Sequence, residues 1–144
     1  MLGMQTCFPQ RDDGQVDVDL GPDSRMLNET LNDCISSLPP RGALGNGPSC
    51  YWVDVAEDGL QRAIATGSNR PFTWGNITLL RLHKGRVEAR YDFDGDDIEG
   101  EVIEVDQFRE ILKEWRQHIS KSAASATTPL PETYRRNPSL NFPP

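Results

Sequence analysis

The chain has 144 residues, of which 36% are hydrophobic, and it carries a formal net charge of −7. This length is typical of one domain with a sizeable buried core. An acidic protein is poorly suited to nucleic acid or to anionic membranes, because binding to both relies on lysine and arginine. No run approaches the roughly 18 apolar residues of a membrane span. We therefore expect neither a nucleic-acid nor a membrane partner, but a basic protein.

The three cysteines, Cys7, Cys34 and Cys50, show no CxxC spacing. An odd number of cysteines without metal-ligand spacing favours reduced thiols that pack as small apolar side chains. The N-terminal residues lack the basic and apolar regions of a secretory signal peptide. These features together predict a cytoplasmic protein.

The N-terminal segment, residues 1–23, contains one piece of alternating apolar and polar residues. This alternation predicts a short strand over 15–20. Asp23 or Ser24 then caps a predicted helix over 25–38, where apolar residues recur at helical spacing along one stripe. A Gly- and Pro-rich loop follows this helix.

Several strands are predicted in the middle of the chain. The Asp58-Gly59 pair is a strong hairpin signal, which predicts strands over 51–56 and 60–66. A strand over 74–82, a tight turn and a strand over 86–93 come next. Alternation in the last of these predicts one face on the core and one in water. The expected core face comprises Val87, Ala89, Tyr91 and Phe93, and the expected water face comprises Arg86, Glu88, Arg90 and Asp92.

The final predicted elements are a strand over 98–105 and a helix over 106–120, the clearest helical stripe in the chain. From 121 to 144 the sequence is rich in Ser, Ala, Thr and Pro without periodicity, which predicts a tail without a core of its own. The predicted fold is therefore α+β. One domain over 24–120 has an antiparallel sheet of five to six strands with helices packed on it.

The stretch from Asp92 to Asp106 holds eight carboxylates and no lysine or arginine. The stretch resembles a 12-residue calcium-binding loop that starts at Asp92. Position 6 of that loop is then Asp97 instead of glycine, and position 12 is Ile103 instead of glutamate. A polar hairpin turn explains the pattern better. Acid–base catalysis needs a desolvated carboxyl, whereas these acids alternate with apolar residues and face water. The sequence therefore predicts no catalytic residue, no metal ligand and no cofactor.

Two interpretations of the acidic stretch stay open. The acids give solubility and protect a sheet edge, or they meet the lysines and arginines of a basic partner, which offsets their mutual repulsion. Two tryptophans are candidate exposed anchors for such a partner. The candidate partner-binding residues are Asp92, Asp94, Asp96, Asp97, Glu99, Glu101, Glu104, Trp52 and Trp74.

Residues 74–119, WGNITLLRLHKGRVEARYDFDGDDIEGEVIEVDQFREILKEWRQHI, resemble the C-terminal half of small bacterial immunity proteins. These proteins accompany polymorphic toxins of contact-dependent inhibition, Rhs-type and type VI secretion systems. They often show a strand, a tight turn, a strand ending in an acidic hairpin, and a final helix with Phe and Trp. The resemblance covers about a third of the chain.

This resemblance implies a non-enzymatic, cytoplasmic protein that binds a cognate toxin domain and blocks its active site or its access to substrate. Many such toxins are nucleases with basic clefts, which an acidic inhibitor fits; deaminase, NAD-degrading and ADP-ribosylating toxins are the other candidates.

The alternative function is an adaptor or secretion chaperone that uses the groove beside helix 25–38 and the tail. A third is a small enzyme that uses the acidic cluster, which a bound divalent metal or a deep pocket containing Asp92 and Glu104 would support. The sequence does not determine the oligomeric state.

Overall fold

The structure is a computed structural model that describes residues 6–43, 47–95 and 97–126. Within these residues the fold is α+β, as predicted, with three α-helices and one antiparallel sheet. The sheet has four strands in the order β1-β2-β3-β4, not five to six. In chain order the elements are a 3₁₀ turn at Pro22–Ser24, α1 (Arg25–Cys34), α2 (Tyr51–Thr66), β1 (Pro71–Trp74), β2 (Thr78–His83), β3 (Arg86–Tyr91), β4 (Glu101–Glu104) and α3 (Val105–Ala126).

The helices pack on one face of the sheet. Strand residues at alternate positions join the core, where Leu80 pairs with Ala89 and Val87 with Ile103. The helices contribute large buried side chains to the same core: Leu27 and Leu31 from α1, Val53 and Leu60 from α2, and Phe108 and Trp115 from α3. The opposite face, which we call the outer face, carries no helix in the described part of the chain.

Helix α2 lies where the sequence predicted a hairpin. Its buried positions follow helical spacing: Val53, Ala56, Gly59, Leu60 and Ala63. A Cβ atom on Gly59 would lie 2.7 Å from the backbone oxygen of Phe72 in β1. The glycine therefore allows a helix and a strand to approach closely, and does not form a turn. The predicted strands over 51–56 and 60–66 are wrong.

The N-terminal segment packs against the core. Residues 6–20 fold back on themselves through two isolated antiparallel bridges, so the predicted strand over 15–20 is not a continuous one. Its apolar face is confirmed, because Val16, Val18 and Leu20 are all buried. The indole Nε1 of Trp115 also donates to the carbonyl oxygen of Val16 over 2.8 Å.

The predicted helices both exist, with different ends. Helix α1 ends at Cys34 instead of 38, because Ile35 adopts an extended conformation. The chain then turns so that the buried Ser37 hydroxyl accepts a hydrogen bond from the N–H of Val16. Helix α3 continues to Ala126, six residues beyond its predicted end. The rest of the predicted tail, 127–144, lies outside the described residues.

The strands differ from the predictions mainly at their ends. The tight turn after β2 is confirmed, with Lys84 and Gly85 both at positive φ, as in a two-residue hairpin. The single strand predicted over 74–82 is interrupted by a turn between β1 and β2. The last strand is shorter than predicted, since β4 covers only Glu101–Glu104.

Strand β3 corrects the prediction of its two faces. Val87 and Ala89 are buried in the core as expected, but Phe93 is 71% exposed. On the face predicted to be in water, Glu88 and Arg90 are only 2% and 3% exposed. The alternation therefore predicts the strand correctly. The prediction that its polar face lies in water is wrong, because Glu88 and Arg90 are buried.

Candidate partner-binding surface

The connection between β3 and β4, residues 92–100, is called the acidic loop; its residue 96 lies outside the described residues. This loop folds back over the outer face of the sheet, where Arg90 holds it. The guanidinium donates from Nη1 to the carbonyl oxygen of Ile98 over 2.8 Å. Its Nη2 donates to the carbonyl oxygens of Asp94, over 3.4 Å, and Gly95. One buried side chain thus fixes the backbone of the loop at three points.

Glu88 completes this arrangement beneath the loop. One carboxylate oxygen accepts a hydrogen bond from Nε of Arg81 over 2.7 Å, and the other accepts the N–H of Gly100 over 3.0 Å. Arg90 lies 3.5 Å from the second oxygen. Burial alone would raise the pKa of Glu88, but the Gly100 N–H and the two arginines together hold it below its usual value. We call these three side chains, Arg81, Glu88 and Arg90, the clasp.

The turn between β1 and β2 is held to helix α1 by Asp33. Its carboxylate accepts hydrogen bonds from the backbone N–H groups of Asn76, Ile77 and Thr78 at 2.9 to 3.1 Å. It also accepts the Thr78 hydroxyl at 2.7 Å. Burial acts to raise the pKa of Asp33, but these four hydrogen bonds outweigh it and the pKa is lowered. The carboxylate is therefore a structural anchor of the turn.

The same end of the sheet carries the start of the acidic loop. The N–H of Asp92 donates to the carbonyl oxygen of Ile77 over 2.9 Å, which joins the turn to the loop. The hydroxyl of Tyr91 donates to Glu29 of α1 over 2.6 Å, and Phe93 stacks on the Tyr91 ring at a centroid distance of 5.1 Å. We call residues 74–77 and 92–100 together the loop end.

Large apolar side chains are exposed at the loop end. They are Trp74 (59% exposed), Ile77, Phe93 and Ile98, which make up half of the exposed large hydrophobic residues in the described part of the chain. The acidic loop also carries the carboxylates of Asp92, Asp94, Asp97 and Glu99, and only the side chain of Asp94 is half-buried. Apolar anchors with a polar rim are typical of protein–protein interfaces.

The structure brings some of the predicted binding residues together and leaves others apart. Glu101 turns inward and accepts the N–H of Leu27 at the start of α1 over 2.8 Å. Glu104 lies at the other end of β3, beside Arg86 at 3.3 Å. Trp52 is partly buried against the core. Five predicted residues share the loop end: Asp92, Asp94, Asp97, Glu99 and Trp74. Asp96 lies outside the described residues.

The sequence pattern missed Phe93 and Ile77 as surface residues. Phe93 was assigned to the core by alternation, although it stands between two aspartates at the point where a strand has to turn. That neighbourhood was the available signal, because a residue beyond the last strand pairing is not held over the core. Ile77 gave a weaker signal, since Gly75 and Asn76 before it are typical turn residues.

Asp92 and Glu104 lie toward opposite ends of β3, so they do not share a pocket. Among residues 6–43, 47–95 and 97–126, no group of three or more histidines, cysteines or carboxylates is placed to hold a metal ion. No helix within these ranges is both long and apolar enough to cross a membrane.

Comparisons with protein-family models, with curated proteins and with solved structures find no match to this chain.

Proposed function

We propose that this protein is a non-enzymatic, cytoplasmic immunity protein that binds and neutralises a cognate bacterial toxin domain through the loop end. The observation that carries the proposal is the acidic loop, whose backbone is fixed by Arg90 while its carboxylates face outward. A surface ordered before binding loses less conformational entropy when the partner docks. The pattern resemblance of residues 74–119 to immunity proteins supports the same function.

The charge of the loop end favours a basic partner. Each exposed carboxylate repels its neighbours, and lysines or arginines of a partner relieve this repulsion. Complementary charge also raises the association rate, which suits an inhibitor that has to capture a toxin quickly. A nuclease toxin fits this chemistry best, because its basic cleft accepts phosphates that carboxylates imitate.

Co-expression with the product of the neighbouring gene tests the proposal directly. We expect that product to arrest growth when it is expressed alone, and we expect this chain to restore growth and to co-purify with it. A neighbour that is harmless alone, or that does not bind, contradicts the proposal. Binding to several unrelated clients instead supports the adaptor function.

A matched pair of charge variants tests the site. The triple variant Asp92→Lys, Asp97→Lys and Glu99→Lys should lower the association rate at low salt by about tenfold or more and reduce its salt dependence. The control variant reverses three exposed carboxylates elsewhere: Asp12, Asp58 and Glu110. Both variants change the net charge equally, so equal effects on the rate would exclude the acidic loop from the interface.

A second matched pair tests the apolar anchors. Phe93→Ala should weaken binding by about tenfold or more, as expected for an aromatic anchor at an interface. Tyr51, an exposed aromatic residue at the start of α2, provides the control. Tyr51→Ala should leave the affinity unchanged. Equal affinity of both variants would show that Phe93 is not an anchor.

The adaptor function finds less support in the described residues. It required a groove beside helix 25–38, but the apolar stripe of α1 is buried: Leu27, Leu31 and Cys34 all belong to the core. The tail that would serve as its arm lies outside the described residues beyond Ala126.

A further inference from the structure

A cavity of about 240 Å³ lies between the C-terminal part of α2 and the start of β1. It is at the other end of β1 from the loop end. The close approach of Gly59 to Phe72 forms its inner wall. The side chains that matter for its chemistry are Arg62, Ala63 and Thr66 from α2, and Ser68, Arg70 and Phe72 from the following segment.

The cavity is lined by two arginines and by no carboxylate. Neither Arg62 nor Arg70 forms an ion pair with a carboxylate among the residues that the structure describes. Six of the other eight arginines among the described residues contact a carboxylate at 3.5 Å or less: Arg11, Arg81, Arg86, Arg90, Arg109 and Arg116. Both cavity arginines are exposed. In a chain with 22 acidic and 15 basic residues, two arginines on one cavity without a counter-ion leave their guanidinium groups open to an anion.

The end of helix α2 would oppose an anion through its free carbonyl groups. Here one of these carbonyls is satisfied, because the oxygen of Ala63 accepts the N–H groups of Gly67 and Ser68. The oxygen of Arg62, one residue earlier, also accepts the Thr66 hydroxyl over 2.8 Å. The partial negative charge next to the cavity is thereby reduced.

Ser68 adds a hydrogen-bond donor at the same place. Its hydroxyl oxygen accepts the N–H of Arg70 over 3.1 Å, which leaves the hydroxyl hydrogen to donate to a ligand. Two guanidinium groups and a hydroxyl match the oxygens of a phosphate group. Phe72 and Ala63 offer an apolar surface beside them.

We propose that this cavity binds a small phosphate monoester. Its phosphate lies between Arg62 and Arg70 and accepts the Ser68 hydroxyl, and its organic part packs on Phe72. The site is separate from the loop end, so a test of phosphate binding does not depend on whether the proposed function is correct.

Titration of the isotope-labelled protein with inorganic phosphate and with phenyl phosphate, at constant ionic strength, tests the site by NMR. We expect saturable shifts of the backbone amides of residues 62–72, with phenyl phosphate binding more tightly than inorganic phosphate. The variant Arg62→Gln/Arg70→Gln should weaken phenyl phosphate binding by about tenfold or more. The charge-matched control, Arg41→Gln/Lys113→Gln, should bind as the native protein does.

Several outcomes would overturn the proposal. They are shifts that do not saturate, saturable shifts confined to other residues, and equal weakening by both double variants. A third variant, Arg62→Lys/Arg70→Lys, guards against a loss of binding that arises from misfolding. It keeps both charges without the planar guanidinium geometry, so its affinity should lie between those of the native protein and the Gln variant.

Discussion

Replacement of Arg90 by methionine tests the clasp most directly. Methionine keeps an apolar stem under the loop but removes the guanidinium bonds to the carbonyls of Ile98, Asp94 and Gly95. Hydrogen bonds to charged groups contribute about 1.5–3 kcal/mol each. The loop carbonyls regain water when the arginine is lost, and Glu88 keeps its bonds to Arg81 and Gly100. If the long 3.4 Å bond to Asp94 is neglected, the bonds to Ile98 and Gly95 at about 1.5 kcal/mol each give an expected loss of about 3 kcal/mol, a large part of the roughly 5–15 kcal/mol stability of a domain.

Arg86→Met is the matched control for this experiment. Arg86 lies on the same strand and also contacts a glutamate, Glu104, at 3.3 Å, but these side chains are 52% and 62% exposed. An exposed ion pair contributes at most about 1 kcal/mol, so Arg86→Met should have a small effect. The two variants thus differ mainly in the burial of the arginine.

Urea unfolding followed by circular dichroism gives the free energy of unfolding of both variants, and hydrogen exchange reports the amides of residues 94–100. Arg90→Met should also accelerate exchange in these residues, because the loop backbone loses its anchor. If Arg90→Met destabilises the protein no more than Arg86→Met does, or if exchange in the loop is unchanged, the clasp does not hold the loop.

Three further predictions concern the core, the turn and the cysteines. Gly59→Ala should lower the free energy of unfolding by about 1–3 kcal/mol, measured with urea, because the new Cβ meets the Phe72 backbone; an unhindered helix position would gain roughly 1 kcal/mol instead. The pKa of Asp33 is lowered, because its hydrogen bonds outweigh the effect of burial. The ionised carboxylate therefore stabilises the fold fully above the ordinary pKa of 3.8, and this stabilisation is lost as the pH falls through the lowered folded-state pKa. Asp33→Asn should therefore reduce the difference between the urea midpoints at pH 7 and in that acid range. Burial raises the pKa of Cys34 to about 12, so a thiol reagent at pH 8 should modify the exposed Cys7 and leave Cys34 unmodified until the protein unfolds, as mass spectrometry of the labelled peptides would show.

Each of these predictions has an outcome that contradicts it. A stabilised Gly59→Ala variant would mean that α2 and β1 are further apart than described. An Asp33→Asn variant with an unchanged pH dependence would mean that the turn does not depend on an ionised carboxylate. Labelling of Cys34 in the folded protein at the rate of Cys7 would mean that its thiol is accessible.

Local patterns in the sequence predicted several elements correctly, because the buried residues of a helix or a strand recur along the chain with the period of that element. The stripe of α3 and the stripe of α1 are read from residues three and four apart, and both helices exist. The turn at Lys84 and Gly85 follows from Gly85, because glycine adopts positive φ without steric cost. The buried face formed by Val16, Val18 and Leu20 follows from alternation alone.

The prediction of a hairpin at Gly59 failed because two signals competed over the same residues. A glycine after an aspartate is typical of a two-residue turn, but it also suits a helix that approaches a strand closely. Only the backbone oxygen of Phe72 distinguishes the two uses, because it lies 2.7 Å from where a Cβ atom on residue 59 would be. The contact between them is tertiary, so a short window of sequence does not contain it.

The candidate site shows the same division. The sequence by itself determined that residues 92–106 are acidic, that a strand and a turn precede them, and that the polar face of β3 alternates with an apolar one. Only the tertiary structure decided that the loop folds back, that Arg90 and Glu88 are buried beneath it, and that Phe93 faces solvent. The physical reason is that alternation records which side chains share a face, whereas burial depends on what a distant segment brings to cover that face.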